Sequence, residues 1–202
     1  MTDPLPSIDP RHTALLVMDY QLQILNSLSD AEALLSRTAD AIALVRRLGG
    51  QIGYVRVAFE DADYAALPST NKMTARVAAR GGTMDSGSPE SAIHEQVAPE
   101  EGDIVVRKTR VGAFSTTDLD EQLRHRGITN LILAGISTSG VVLSTVRDAA
   151  DRDYQVFVLA DASADPEPGV HDFLTERIFP RQADVITTAE LEDLLYRDDS
   201  AP

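Results

Sequence analysis

Two charged residues and one turn of small residues stand at corresponding places in this chain. Asp19 closes the apolar run Thr13-Ala14-Leu15-Leu16-Val17-Met18, and Lys108 closes Asp103-Ile104-Val105-Val106-Arg107. The third feature is Ala134-Gly135-Ile136-Ser137-Thr138-Ser139-Gly140-Val141. It follows the apolar Asn130-Leu131-Ile132-Leu133 and leads into Val142, Val146, Ala149 and Ala150 at helical spacing. A strand, a tight turn and a helix in that order leave unpaired backbone N–H groups at the turn, where they stabilise anions and developing oxyanions. An acid, an amine and a set of amides are the parts needed to protonate a leaving atom and hold the charge that forms. Alone, an aspartate after a strand is a turn former and a lysine there is a solvated charge. Their conjunction is what points to chemistry.

The elements that must position these residues alternate along the chain. Apolar runs at 13–18, 51–58, 103–108, 129–135, 155–160 and 183–187 read as strands. Helical patterns occupy 30–48, 117–126, 141–152, 167–179 and 189–196, with Gly49-Gly50 stopping the first and Thr117 placed to cap the second. The stretch 67–82 reads as a loop with a short helix, and 1–12, with three prolines, as an extended lead-in. Strands alternating with helices predict an α/β fold: three layers, α/β/α, around a doubly wound, Rossmann-like parallel sheet. In such a sheet the carboxyl ends of the strands face one crevice, where ligands bind. Asp19, Lys108 and the 137–141 turn then share it.

Composition narrows the classes. The chain has 202 residues, 43% hydrophobic, consistent with a single domain spanning 1–202. Eighteen basic against 32 acidic residues give a formal charge of -14, which disfavours nucleic acid and anionic membranes as partners. No basic segment precedes a long apolar run, so a cytoplasmic protein is expected. The chain has no cysteine, which excludes disulfides, thiolate metal sites and a thiol nucleophile.

Four segments in order carry a resemblance. They are Leu15-Leu16-Val17-Met18-Asp19-Tyr20-Gln21; Arg107-Lys108-Thr109-Arg110-Val111-Gly112-Ala113-Phe114 with Thr117-Asp118-Leu119; Gly135-Ile136-Ser137-Thr138-Ser139; and Thr145-Val146-Arg147-Asp148-Ala149 with Asp161-Ala162. Together, from about residue 12 to about residue 190, they resemble the isochorismatase-like hydrolases, also called the cysteine hydrolase superfamily. The resemblance implies a six-stranded sheet, small-molecule hydrolysis, homodimers or homotetramers, and a cis Ile136–Ser137 peptide. It makes Asp19 and Lys108 the catalytic pair and gives the turn residues Ser137 and Val141 the oxyanion role. Gln21, Phe114, Ser139 and Gly140, which lie in or beside these motifs, are the candidate substrate contacts, joined by Arg56 at a strand end. Phe173, Ile178 and Phe179 are the candidate interface residues, with packing inside the monomer the alternative for each.

The departure from the family is chemical. Where its amidases carry the nucleophilic cysteine, this chain carries Val141. The family's isochorismatases also lack a thiol there and cleave a vinyl ether by protonating substrate. The resemblance therefore implies thiol-independent hydrolysis of a small, anionic molecule, or a silent binding protein that kept the fold. Ser137, Ser139 and Ser144 flank the position, but none of His12, His94, His125 and His171 stands near it in sequence. His125 and His171 are expected at the surface, and a serine without a base is a poor nucleophile. The nicotinamidase branch holds a metal with an Asp and two His after the second strand. Here residues 55–63 supply no imidazole, so neither a metal nor any other cofactor is expected.

Overall fold

Six apolar runs form strands: β1 (Thr13–Met18), β2 (Gln51–Val57), β3 (Ile104–Lys108), β4 (Asn130–Ile136), β5 (Gln155–Ala164) and β6 (Asp184–Ile186). In the computed structural model, which describes residues 6–195, they make one parallel sheet in the order β3-β2-β1-β4-β5-β6. The chain winds outward from β1 to β3, returns to β4 beside β1, and winds outward the other way. The β1/β4 junction is thus the switch point where a crevice opens at the strand ends.

Among the described residues eight α-helices accompany the sheet: α1 (Leu22–Leu25), α2 (Ala31–Arg47), α3 (Asp61–Ala65), α4 (Lys72–Ala79), α5 (Leu119–His125), α6 (Leu143–Asp151), α7 (Val170–Phe173) and α8 (Leu191–Leu195). Every residue of β1 and β4 is buried, which explains their uninterrupted apolar sequence. Leu15, Val17, Ile132, Ala134, Phe157 and Leu159 pack on one face, with α2 and α8. Ala14, Leu16, Met18, Leu131, Leu133 and Val158 pack on the other, with α5 and α6. On α2 the buried residues Leu34, Leu35, Thr38, Ala41, Ile42 and Val45 form one stripe at the helical period. Gly49, at φ 84°, ends the helix in the left-handed region that glycine enters without a Cβ clash.

Several elements differ from the sequence expectation. The lead-in is anchored at Ile8 and Pro10 within its described part. Ile8 is buried and its N–H donates to Leu194 O, while Pro10–His12 forms a 3₁₀ turn; residues 1–5 lie outside the described residues. The helix expected over 141–152 begins with a π turn, Thr138–Val142, and that over 167–179 is a short α7 followed by a π turn, Leu174–Ile178. β5 extends to Ala164, because a register shift against β4 between Leu133 and Gly135 accommodates extra residues. Asp118 occupies the N-cap position of α5, one residue later than expected; the Thr117 hydroxyl still accepts from Leu119 N–H at 3.4 Å and donates to Ala113 O at 2.6 Å. Tyr196, expected in the last helix, lies outside the described residues.

Candidate active site

The register places the polar residues together. Met18 pairs with Val55 and Gly135, and Val57 pairs with Lys108, so Asp19, Lys108 and the turn after β4 emerge at one edge. Asp19 adopts φ 62°, a left-handed conformation in which its N–H still donates to Val55 O at 2.8 Å. Asparagine and aspartate tolerate that conformation better than most residues.

Lys108 Nζ donates to Asp19 Oδ2 at 2.8 Å and to Val111 O at 2.7 Å. Asp19 is 5% exposed and Lys108 2%, so this is a buried ion pair. Burial pushes the Asp19 carboxyl above the usual carboxylate range, against the opposing pull of the Lys108 charge. Asp19 Oδ1 has no protein partner. One oxygen is thus held by the ammonium, and the other is buried and unpaired.

A cavity of about 790 Å³ adjoins the pair. The pair, the turn residues Ser137, Ser139, Gly140 and Val141, and the α4 segment all line it. Arg76 and Arg80 from that segment line it too, as does Arg110 beyond β3, and Asp19 is the one carboxylate in the lining among the described residues. None of these three guanidiniums meets a carboxylate within 4.0 Å among the described residues, whereas Arg46, Arg107 and Arg152 each do. A chain of net charge -14 therefore presents a locally cationic cavity. Apolar walls come from Ile24, Phe59, Met73, Val77 and Met84.

The turn is clamped from behind by the segment after β5. Ser139 N–H donates to Asp165 Oδ2 at 2.7 Å, and the Gly140 and Val142 N–H groups donate to Ser137 O. The amides of Ser137 and Val141, the expected oxyanion donors, are not among these bonds. The Ile136–Ser137 peptide is cis, as the resemblance implies. Thr138 Oγ1 and His171 Nδ1 lie 2.8 Å apart, so His171, expected at the surface, is half-buried against the turn. Burial lowers the His171 pKa below its ordinary 6.5. Thr138 is fully buried and outside the cavity lining, so this hydroxyl–imidazole pair braces the turn and supplies no nucleophile to the cavity. Val141 is 2% exposed and packs in the core beneath it.

Three expected substrate contacts are absent from the lining. Gln21 is buried; its Nε2 donates to Val57 O and Ser91 O, and its Oε1 accepts from Val57 N–H, so it ties β2 to the 85–91 segment. Arg56 donates to Ser86 O and Ser91 O in the same place. Phe114 stacks on Tyr154 with centroids 6.1 Å apart, under the Arg152 guanidinium. Ser139 and Gly140 do line the cavity. Arg76 and Arg80 went unread because 67–82 has weak apolar periodicity, although their spacing of four was a legible sign of a shared helix face. No sequence pattern links His171 or Asp165 to the turn. Among the described residues no group of three metal-binding side chains occurs. Phe179, an expected interface residue, is 1% exposed and belongs to the monomer core, and Ile178 packs against it; Phe173 is 58% exposed.

Residues 13–190 match the isochorismatase domain family. The uncharacterized isochorismatase family protein YwoC of Bacillus subtilis is 33% identical over 184 residues, covering 91% of this chain and 94% of that protein. The ureidoacrylate amidohydrolase RutB of Methylobacterium radiotolerans is 31% identical over 182 residues, covering 80% and 70%. The solved structure of an isochorismatase family protein from Burkholderia thailandensis superposes with a TM-score of 0.81 at 30% identity, covering 95% and 99%. With its parallel sheet, its strand-end crevice and a family match over most of its length, the chain belongs to the isochorismatase-like hydrolase superfamily.

Proposed function

We propose that this protein is a thiol-independent hydrolase of a small anionic molecule, with Asp19 as general acid and Lys108 as its electrostatic partner. The observation that carries this reading is the buried Asp19–Lys108 pair, 2.8 Å apart, beside a cavity lined by three guanidiniums that meet no carboxylate among the described residues. Arg76, Arg80 and Arg110 offer charge-assisted hydrogen bonds to a carboxylate or other oxyanion. A bound anion that excludes water, or draws Lys108 toward itself, raises the proton affinity of Asp19 further. Asp19 Oδ1–H then delivers its proton to the leaving atom as that bond breaks. Lys108 and the amides of Ser137 and Val141 stabilise negative charge developing nearby. Water adds to the carbon that the leaving atom vacates, and the proton it loses returns to the Asp19 carboxylate. With valine at 141, no acyl-enzyme forms on that residue.

Ureidoacrylate, the substrate in the name of one relative, is an anion of suitable size, and so is the isochorismate in the family name. Turnover of both, with wild type, Asp19→Asn and Lys108→Ala, tests the reading. Positioned proton transfer contributes about 10²–10⁴ in rate, so each variant should lose at least about 10² in kcat. Wild-type kcat in Asp19→Asn would remove the acid role.

The apolar Val141 favours a second reading, a binding protein that kept the fold without the chemistry. Tight, saturable binding of these anions, with no product formed at stoichiometric enzyme, would establish it.

A further inference from the structure

Asp19 Oδ1 and Gln23 Oε1 are the buried side-chain oxygens without a protein partner among the described residues, and both residues line the same cavity. Native proteins pair nearly all buried polar atoms, so two unpaired oxygens at one cavity point to a partner that arrives with the ligand or with water. The two differ in kind. Asp19 titrates, so Oδ1 can donate or accept. An amide oxygen accepts at every pH.

The orientation of Gln23 follows from its neighbours. Thr83 Oγ1 donates its one proton to Arg80 O at 2.8 Å. That leaves the Thr83 hydroxyl as an acceptor, so Gln23 must present Nε2 to it, at 2.6 Å. Oε1 is then committed to the other side of the amide. Gln23 stands in α1, four residues beyond Asp19, and Thr83 follows the α4 segment that carries Arg76 and Arg80. Hydrogen bonds from Gln23 through Thr83 to the Arg80 carbonyl therefore tie α1 to the segment that carries the arginines.

Resting on the anionic-substrate reading above, we infer that Gln23 is a specificity-determining residue, and that the molecule taken here joins an anionic group to a hydrogen-bond-donating head, O–H or N–H, which Gln23 Oε1 accepts. Heads that only accept, such as an ether oxygen or a second carboxylate, leave Oε1 unpaired and set lone pairs against lone pairs. A site built to bond an O–H or N–H rejects analogues lacking it far more strongly than an apolar pocket rejects an extra methylene.

Calorimetric binding to the full chain tests this with benzoate, 3- and 4-hydroxybenzoate, their methoxy counterparts, and neutral 3-hydroxybenzamide. Wild type should bind the better hydroxybenzoate at least about tenfold more tightly than its methoxy counterpart. Gln23→Met conserves volume and removes the acceptor. It should compress that ratio to within about threefold while leaving benzoate affinity unchanged, which also shows that the variant folds. Should Gln23→Met fail to fold, Thr83→Val, which releases the amide, should lower the ratio in the same direction. A wild-type ratio below about threefold overturns the inference, and so does a ratio that survives Gln23→Met. If only the neutral benzamide binds, and does so through Gln23, the anionic reading falls and the donor assignment stands. If no probe binds, both fall.

Discussion

Replacing Lys108 by Met leaves the Asp19 carboxyl buried without its counter-ion and Val111 O without its donor. Both charged groups are at least nine-tenths buried, so water does not replace what is removed. Breaking a buried pair from one side costs about 3–5 kcal/mol, and Lys108→Met should fall in that range at pH 7. Asp19→Asn should fall near the lower end, about 3 kcal/mol, because the amide oxygen still accepts from Nζ while the ammonium loses its countercharge. The double variant carries no charge at either position, and methionine fills the volume of the lysine stem. Replacing a buried pair by neutral groups of similar volume is often neutral or stabilising, so the double variant should lie within about 2 kcal/mol of wild type. The singles then sum to about 6–8 kcal/mol, and the double-mutant cycle yields a coupling of at least about 4 kcal/mol. Urea unfolding at pH 7 measures all four proteins. The double variant should be stable and catalytically dead, a combination that separates the pair's function from its burial. Singles costing under about 1 kcal/mol, with additive effects, would refute a buried charged pair and the acid chemistry built on it.

Four further outcomes follow from the same geometry. Val141→Cys puts a thiol at the head of the turn beside Lys108, where a thiolate is favoured, and it should react with iodoacetamide faster than free cysteine; an ordinary rate would sink the assignment of 141 as the nucleophile-equivalent position. His171 has a lowered pKa in the fold, so the unfolded chain binds more protons below about 6.5; stability should therefore be full above that pH and decline beneath it, and His171→Gln should flatten this slope in melts from pH 7.5 to 5. Arg76→Ala and Arg110→Ala should each weaken benzoate binding by about tenfold while leaving the melting temperature within a few degrees, since neither guanidinium holds a carboxylate in the fold; unchanged affinity in both would contradict an anionic ligand. Self-association is a proposal that rests on the exposed Phe173, and Phe173→Asp should shift the mass measured by light scattering toward the monomer.

Residues that serve the sheet were legible because their environment repeats along the chain. Thr13–Met18 and Asn130–Ile136 are buried on both faces, and such burial demands an unbroken apolar run. Asp19 and Lys108 followed from this, since a charge that ends such a run must sit at the rim of the sheet. The 137–141 turn was readable for a related reason: a strand must reverse into a helix there, and small residues permit it. The sequence even excluded a thiol mechanism, because composition alone settles the absence of cysteine.

What the sequence left open depends on contacts between segments distant along the chain, and no periodicity encodes those. Gln21 and Arg56 look like strand-end ligands, yet carbonyls of the 86–91 segment capture both. Phe114 lies in a motif, yet Tyr154, forty residues later, takes its face. Arg76 and Arg80 reach the cavity only because the α4 segment folds against it, and Gln23 because α1 follows directly on the rim of β1. His171 and Asp165 brace the turn only because β5 runs long past its register shift and returns the chain behind it. Local pattern thus determined which residues end the strands. The tertiary fold decided which of them keep a free polar atom for a ligand, because a hydrogen-bonding group is available only where no other part of the chain has already paired it.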